Sequence, residues 1–560
     1  MFKTLLFALH RSPGGVVLGF DASNAFGTLR RDLAEQALAA SCPALRGLAQ
    51  RLYGAETVMW WQDETGKVHR LQTGSGTPQG CPLSPVVFAI ALKPVLDELA
   101  ARFPRWTITA YLDDIVVVGP PEEAAEMCRE MATRMRRIGI ELNDAKTQAW
   151  TKAGRQALPV AVQRFWTERL KVVGSLLVNR GGRLEEPEAA GFGDAGEALQ
   201  KVTDKLGVVG QEILESVAAG LSWQEASGLL RWAGGGLPTH ILRAYPHTEA
   251  DCAGYDQRLR ALWEEVLGAE MEDMEWRRAS LPLRFNGLGS GAAAPRAAAL
   301  YATAWANAAG ELAETFGLSG EVEVGLTPGF GELAVQAQQQ YVSQFPWPGK
   351  PEAALRQNEE HGAETKYLMD VFWEEEVKQV KIALPPDEKP GLESGGGPGA
   401  GGFTMFPEEP EHKMDGGSFR LAMRRRIGMR GKRVLPSAAG AEDVCQHRCR
   451  DGHMCGWALD LGLIHAMTCS SGPYRVARHN RIRDFIARWL RVVANMVVLT
   501  EQFLPVWDIP AEGTRPMRRA KLDITGVLWG EPFAIDVSIA VTGTLDPARI
   551  RGRAEAGKRA

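Results

Sequence analysis

Long apolar runs are absent from this chain. Nowhere in its 560 residues does a stretch approach the ~18 apolar positions that a helix needs to cross a bilayer, so no membrane partner is expected. An excess of one charge is absent too: 64 Lys and Arg stand against 68 Asp and Glu, a formal net charge of −4. That balance gives no global pull toward nucleic acid, and binding of that kind has to come from local patches. Cysteine is scarce, at 8 residues, which excludes a disulfide scaffold in so long a chain. The start resembles a secretion signal only faintly. The apolar core of Met1–His10 is short and no small-residue cleavage site precedes Arg11, so this start reads as the tail of a truncated element.

What is present is ordinary in bulk. Hydrophobic residues make up 45% and charged residues 24%, values of a globular chain whose length suits two or three domains. The informative stretch is Trp106-Thr-Ile-Thr-Ala-Tyr-Leu-Asp113-Asp114-Ile-Val-Val-Val118, closed by Gly119-Pro120-Pro121. β-branched and aromatic residues flank an acidic pair, which is a hairpin pattern with carboxylates at its tip. Adjacent carboxylates repel, so a fold that keeps them supplies a cation or solvates them fully. Taken alone, a solvated Asp-Asp turn is the simpler reading.

The surroundings change that. Val16–Phe20 is a short apolar strand that ends at Asp21, with Phe26 five residues on. A helical pattern follows over 30–53, then a hairpin, 58–62 with 67–71. A loop dense in Gly and Pro, Thr73–Ser84, feeds a helix over 85–103, and Pro85 suits its first turn. After the 106–118 hairpin come a helix over 121–138 and a strand over 139–143 leading to Lys146. This order makes an α/β unit other than a doubly wound sheet.

Asp21-x4-Phe26, Gly76-Thr-Pro-Gln79-Gly80-x3-Ser84-Pro85, Tyr111-x-Asp113-Asp114, Gly139-x-Glu-Leu-Asn-x-x-Lys146-Thr147 and Val173-Gly174-Ser-Leu176 resemble, in that order, the palm motifs of reverse transcriptases. The wording is closest to the enzymes of non-LTR retrotransposons, and the resemblance covers residues 14–180. It implies a right-hand polymerase palm that transfers nucleotides with two Mg²⁺ ions about 3.5–4 Å apart. Magnesium takes oxygen ligands and keeps several waters, so a few carboxylates from separate strands suffice. By the resemblance Asp21 and Asp113 bind these ions, with Asp114 beside them. Phe26 would crowd a ribose 2′-hydroxyl and so select deoxynucleoside triphosphates. Gln79 and Gly80 would lie under the templating base, Lys146 would meet the pyrophosphate, and Val173–Leu177 with Gly174 would be the primer-grip strand. Cys81 is expected to be small filler, buried. One departure stands out. Reverse transcriptases place fingers before the first aspartate, whereas Asp21 here lies close to the first residue, so the fingers are expected to be missing and Lys3 and Arg11 do not replace them.

Residues 181–383 read as a helical thumb and extension, broken by Gly234-Gly-Gly236, with Trp223, Trp232, Trp263 and Trp276 as core. The Pro- and Gly-rich 384–418 reads as a disordered linker. Residues 419–475 hold a basic segment, Arg420–Arg433, and the run Cys445-x3-Cys449-x5-Cys455-x9-His465-x3-Cys469. The basic segment suits phosphate contacts, nuclear import or a plain solvated helix face. Cys455, His465 and Cys469 suit a structural Zn²⁺, with Cys445 or Cys449 as fourth ligand and His447 or His453 as alternatives; reduced buried cysteines are the other reading. In 476–560, Arg478-His479-Asn480, Glu501, Asp523 and Asp536 resemble, in order, the restriction-like endonuclease of site-specific non-LTR elements. Asp523 and Asp536 would then hold Mg²⁺, with Glu501 a possible third ligand. Ser538 stands where that family has its lysine; Lys558 could substitute, and the domain reads as cut short at its C-terminal end.

The expectation is an RNA-directed DNA polymerase with an associated endonuclease, acting in the nucleus on template RNA, a DNA primer, target DNA and deoxynucleoside triphosphates. A non-catalytic nucleic-acid-binding remnant and a group II intron maturase-like protein are the alternatives. The latter shares the palm but not readily the C-terminal domain.

Overall fold

The computed structural model describes residues 1–12, 14–78, 80–178, 195–245, 247–316, 363–386, 388–394, 396–397, 400–401, 404, 406–407, 413–430, 444–445, 447–448, 452–457, 469, 474–492, 496–503, 521–528 and 531–535. They fall into two units. The first comprises Met1–Val208, Gly234–Arg258 and Ala292–Phe372; the second Val209–Ala233, Leu259–Gly291 and Trp373–Ala560.

In the first unit, helix α1 (Phe2–Arg11) leads to β1 (Val16–Phe20) and β2 (Ala22–Ser23), then α2 (Ala25–Thr28), α3 (Arg31–Ser41) and α4 (Pro43–Tyr53). The hairpin β3 (Thr57–Gln62)–β4 (Val68–Thr73) precedes α5 (Ser84–Arg102), and β5 (Thr107–Tyr111)–β6 (Asp114–Gly119) precedes α6 (Ala124–Arg137). Short strands β7 (Glu141–Leu142), β8 (Gln148–Thr151), β9 (Arg169–Val172) and β10 (Ser175–Val178) complete it. The main sheet runs β5-β6-β1-β8 with antiparallel pairings throughout. Its central strands are nearly uninterrupted apolar runs, as burial on both faces demands. Val16, Leu18, Phe20, Ile115 and Val117 pack with Val87, Phe88 and Leu92 of α5 and Met127 and Met131 of α6. The helical pattern over 30–53 is two helices, because Pro43 cannot donate into the first and opens a second.

The chain start is not a loose tail. Phe2, Leu5, Leu6, Phe7 and Leu9 of α1 are buried, and α1 lies against β5 and β6. Lys3 is buried with them; its ammonium donates to the Ala244 carbonyl at 3.1 Å and sits 3.7 Å over the Tyr301 ring. Burial pushes its pKa well below the usual lysine value.

Helices α7 (Ala195–Ala218), α8 (Trp223–Gly236), α9 (Thr239–Ala244), α10 (Glu249–Leu267), α11 (Asp273–Ser280), α12 (Ala294–Thr315) and α13 (Ala363–Ala383) form the helical middle. The expected break falls at Gly234–Gly236: these glycines are the last turn of α8, and a two-residue turn, 237–238, separates it from α9. Each glycine costs a helix only about 1 kcal/mol relative to alanine. The carbonyls left open at its end find donors, Tyr255 Oη on Gly234 at 2.9 Å and Arg296 on Gly235 at 2.9 Å. The tryptophans divide. Trp263 is fully buried and Trp223 and Trp276 half-buried, but Trp232 is 80% exposed and belongs to no core.

Two expectations for the second unit are corrected. The described residues of 384–418 are not a free linker. They include helix α14 (Lys389–Ser394), Leu392 and Thr404 are buried, and their backbone is tied down by Asn286 to Gly391 O and Gly397 N to Arg284 O. Nor is the basic segment a phosphate-binding or solvated face where it is described. In α15 (Gly416–Arg426), Arg420 and Arg424 donate to the last carbonyls of α10, on Glu265, Val266 and Leu267, and to Gly268. Cations at a helix C-terminus meet both open acceptors and the negative end of the helix dipole. Arg426 is buried on the carbonyls of Leu283, Gly287 and Ala400, and burial pushes its pKa down to about 10. Composition showed the charge; it did not show the orphan carbonyls that use it. Further on, α16 (Tyr474–Val492) packs on an antiparallel sheet of β11 (Val498–Phe503), β12 (Lys521–Leu528) and β13 (Glu531–Ile535), around Ala487, Leu490, Val498 and Ile524.

Candidate active site

The register of two strands makes the site. The last pair between β1 and β6 is Phe20 with Ile115, so one further residue brings Asp21 to the same sheet end as Asp114. The β5–β6 hairpin closes on the pair Tyr111–Asp114, leaving Leu112 and Asp113 as a two-residue tip. Leu112 has φ 56°, a left-handed conformation that such turns normally give to glycine. A bulky residue there stores on the order of 1–2 kcal/mol of strain, and the strain sits beside Asp113.

Three carboxylates therefore converge, with Lys146 and Lys171 as the cations beside them. Burial first, then the neighbouring Asp113 and Asp21, push the Asp114 carboxyl above the usual aspartate range, against a weaker pull from Lys171. Oδ2 of Asp21 is buried and accepts no hydrogen bond. Lys146 Nζ stands 3.4 Å from it, but off the line of a hydrogen bond, so the oxygen has an ionic neighbour and no donor. A buried carboxylate oxygen in that state, beside two more carboxylates, fits a divalent ion. Asp21 is steadied from behind: its carbonyl accepts from Asn143 N at 2.8 Å, and Ala22 pairs with Leu142. Lys171 is one residue that sequence reasoning missed; only the fold brings β9 to the aspartates.

Phe26, half-buried on α2, stacks on Phe88 of α5 with centroids 4.6 Å apart and planes at 25°. The Gly-rich loop is clamped to the Phe26 turn by Gly76 N to Leu29 O (2.8 Å), Thr77 N to Phe26 O (2.7 Å) and Ser75 Oγ to Gly27 O (3.2 Å). Arg31, the second residue missed, donates to Gly76 O at 2.7 Å and to Ala55 O at 2.8 Å. Gly76 has φ +68°, and a Cβ there would lie 2.3 Å from Gly27 O, so the clamp admits only glycine. Gly80 also has positive φ, +87°, but a Cβ on it would meet open space. Cys81 is half-exposed, not buried; its sulfur lies 2.9 Å from Tyr53 Oη, and that hydrogen bond holds its pKa below the usual thiol value. The expected strand over Val173–Leu177 starts as a turn. Val173 (φ 45°) and Gly174 (φ 81°) join β9 to β10, and Ser175 Oγ lies 3.3 Å from His240 Nε2. Gln79 lies outside the described residues.

Across residues 8–177 the sequence matches the family model "Reverse transcriptase (RNA-dependent DNA polymerase)". Residues 8–177 are a reverse transcriptase domain. Among curated proteins, the chain is 26% identical over 234 residues to the retrotransposable element SLACS 132 kDa protein of Trypanosoma brucei gambiense, covering 40% of this chain and 18% of that protein. It is 35% identical over 81 residues to the Gag-Pro-Pol polyprotein of bovine leukemia virus (isolate Australian), covering 14% of this chain and 6% of that protein. The chain thus spans less than a fifth of the length of these relatives. Solved structures that align with it include the telomerases of Candida tropicalis (TM-score 0.29, 10% identity, 57% of this chain and 51% of that one) and Candida albicans (TM-score 0.26, 11% identity, 60% and 54%). At those scores the fold assignment rests on the family match, which agrees with the α/β palm and its gathered aspartates.

Beyond the reverse transcriptase domain, Cys445, Cys455 and Cys469 bring their sulfurs within 4.8 Å of one another. A turn makes this possible: Cys445 N donates to Trp457 O and Cys455 N to His447 O, each at 2.7 Å. Three thiols about that far apart fit a tetrahedral Zn²⁺, whose bonds to sulfur are about 2.3 Å. Burial pushes the Cys445 thiol up, a cost that a bound cation would remove. Cys449 and His465 lie outside the described residues, as do Asp536, Ser538 and Lys558. Of the C-terminal acidic residues, Asp523 lies on β12 between Leu522 and Ile524, which pair with Gln502 and Thr500 on either side of Glu501 in β11.

Proposed function

We propose that the reverse transcriptase domain performs RNA-directed DNA synthesis within a protein of a non-LTR retrotransposon. The observation that carries this is the buried, undonated Oδ2 of Asp21 beside Asp114, whose carboxyl is pushed up by burial and then by its acidic neighbours. Two divalent ions, when bound, would supply activation of the primer 3′-oxygen and charge neutralisation on the triphosphate. Asp21 and Asp113 hold them, and Asp114 adds negative charge beside them. Phe26, braced by Phe88, closes the space beside the sugar and selects deoxynucleotides. Gly76 and Thr77 fix the loop that carries Gln79 and Gly80 toward the templating base. Lys146 neutralises Asp21 in the absence of metal and is free to turn to the pyrophosphate. Template RNA, a DNA primer and target DNA are the partners of this reading, and the nucleus its place. Primer extension by the purified chain on an RNA template tests it: Mg²⁺-dependent deoxynucleotide incorporation is expected, and incorporation that survives chelation with EDTA refutes it.

A second reading concerns the C-terminal residues: a Mg²⁺-dependent DNA nuclease held on a zinc-bound support. Asp523 on β12, Glu501 on the neighbouring strand β11 and the three gathered cysteines favour it. It would supply the nick at which synthesis is primed.

A further inference from the structure

Helix α16 has a face that the sheet does not use. Arg483, Ala487 and Leu490 recur at helical spacing and are buried on the side that packs against β11 and β12. On that side His479 Nε2 lies 3.1 Å from Asp523 Oδ2, and Arg483 pairs with Glu501. Ile482, Phe485, Trp489 and Val492 form a second row at helical spacing on the other side, and this row is exposed, Phe485 by 58% and Trp489 by 49%. A helix packed on a sheet normally turns polar residues outward. This one turns two aromatic rings and two aliphatic side chains toward solvent. Its charge is one-sided as well: six arginines and a single acid, Asp484, in 19 residues. Arg481 precedes Phe485 by four residues and Arg488 follows it by three, so exposed arginines flank the ring above and below.

A net charge of −4 leaves nucleic-acid binding to local patches, and the arginines of α15 are taken up by backbone carbonyls. The outer face of α16 is a patch of the required kind, cationic and aromatic together. Resting on the reading of target DNA as a partner, we infer that this face binds an unpaired DNA strand. Phe485 and Trp489, about one turn apart, each give a platform on which a base stacks, and Arg481 and Arg488 meet the phosphates. Bases in a duplex have their faces covered by their neighbours, so the rings select a single strand. Proteins tell RNA from DNA by partners for the 2′-hydroxyl. The row Ile482, Phe485, Trp489, Val492 offers that group no acceptor, so it fits the deoxy sugar.

The test uses the full chain in EDTA, so that neither polymerase nor nuclease chemistry intervenes, with excess poly(rA)/oligo(dT) to occupy the polymerase domain. Fluorescein-labelled oligo(dC) reports affinity by anisotropy, and oligo(dC) carrying 5-iododeoxycytidine is crosslinked by ultraviolet light and the attached residue mapped by mass spectrometry. Crosslinks at Phe485 or Trp489 are expected. Phe485→Ala and Trp489→Ala should each weaken oligo(dC) about fivefold or more, and Phe485→Trp should keep wild-type affinity. Replacing both Arg481→Gln and Arg488→Gln should lower the slope of log affinity against log salt by about 0.7 per arginine. All these side chains are exposed, so urea midpoints should match wild type, as should primer extension; a failed polymerase reading and a failed surface are thereby told apart. Crosslinks confined to other segments, or oligo(dC) affinity unchanged in both alanine variants, overturn the inference. So does a duplex of the same length bound as tightly as the single strand, or an oligo(rC) that binds as tightly and is weakened equally. Loss of phosphatidylserine-vesicle binding in the alanine variants, with oligo(dC) binding intact, would assign the face to a membrane surface instead.

Discussion

Gly76→Ala should disable the polymerase site without touching a carboxylate. The new methyl would lie 2.3 Å from Gly27 O, 2.4 Å from Gly27 C and 2.4 Å from Phe26 O, all backbone atoms that cannot swing aside. To relieve that contact the Gly76–Thr77 segment must leave the Phe26 turn, breaking Gly76 N to Leu29 O and Thr77 N to Phe26 O. Two such bonds are worth about 0.5–1.5 kcal/mol each, and φ +68° costs an alanine roughly 1–2 kcal/mol more, so the clamp loses about 2–5 kcal/mol. If half of that reaches the transition state, primer extension on an RNA template falls about 5- to 70-fold. Discrimination between deoxy- and ribonucleotides should weaken with it, because Phe26 sits on the released turn. Gly154→Ala is the control. It bears the same backbone penalty at φ +85° but meets no atom and lies outside the site's motifs, so about 1–2 kcal/mol of local strain is all it should show. Paired extension assays with dTTP and UTP on poly(rA)/oligo(dT) read both effects. A Gly76→Ala protein that extends and discriminates as wild type does, or that loses no more than Gly154→Ala, would refute the clamp.

Phe26→Ala should raise ribonucleotide incorporation while Mn²⁺ binding at the aspartates stays intact; unchanged sugar selectivity removes the steric role. Asp114 is raised in the folded state, so what it contributes to stability is fully present below the ordinary aspartate pKa and lost as pH rises through the raised value. The urea midpoint of metal-free protein should fall over that acidic window, less so with Mg²⁺ or in Asp114→Asn, and identical slopes in all three would contradict the cause assigned. Arg426→Ala leaves the Leu283, Gly287 and Ala400 carbonyls without their donor and should cost about 3 kcal/mol or more in chemical denaturation, whereas Trp232→Ala should change stability by less than about 0.5 kcal/mol. Cys455→Ser and Cys469→Ser should each abolish stoichiometric zinc measured on the purified chain; full retention in both would exclude the thiol cluster as the site.

Much of the palm is legible because its signals are local. An apolar run that stops at Asp21, a hairpin that exposes Asp113 and a Gly-Thr-Pro loop each carry their geometry in a few residues. Their meeting point follows from strand order, which the resemblance supplied and the β1–β6 register realises. The misses share a cause. Arg420 and Arg424 look like a solvated or phosphate-seeking run until the open carbonyls at the end of α10 are known, and Arg426 until those of Leu283 and Gly287 are; all lie more than a hundred residues upstream. Trp232 looks like core because tryptophan usually is, and nothing in its own helix says which face is covered. His479 meeting Asp523 is likewise a matter of which side of α16 rests on the sheet.

The direct test of the central claim is incorporation of dTTP on poly(rA)/oligo(dT) by the full chain, wild type beside Asp113→Asn, with Mg²⁺ as the only divalent ion. The account predicts templated incorporation by the wild type and loss of about a hundredfold or more when the tip carboxylate becomes an amide. Equal incorporation by the two proteins would contradict it.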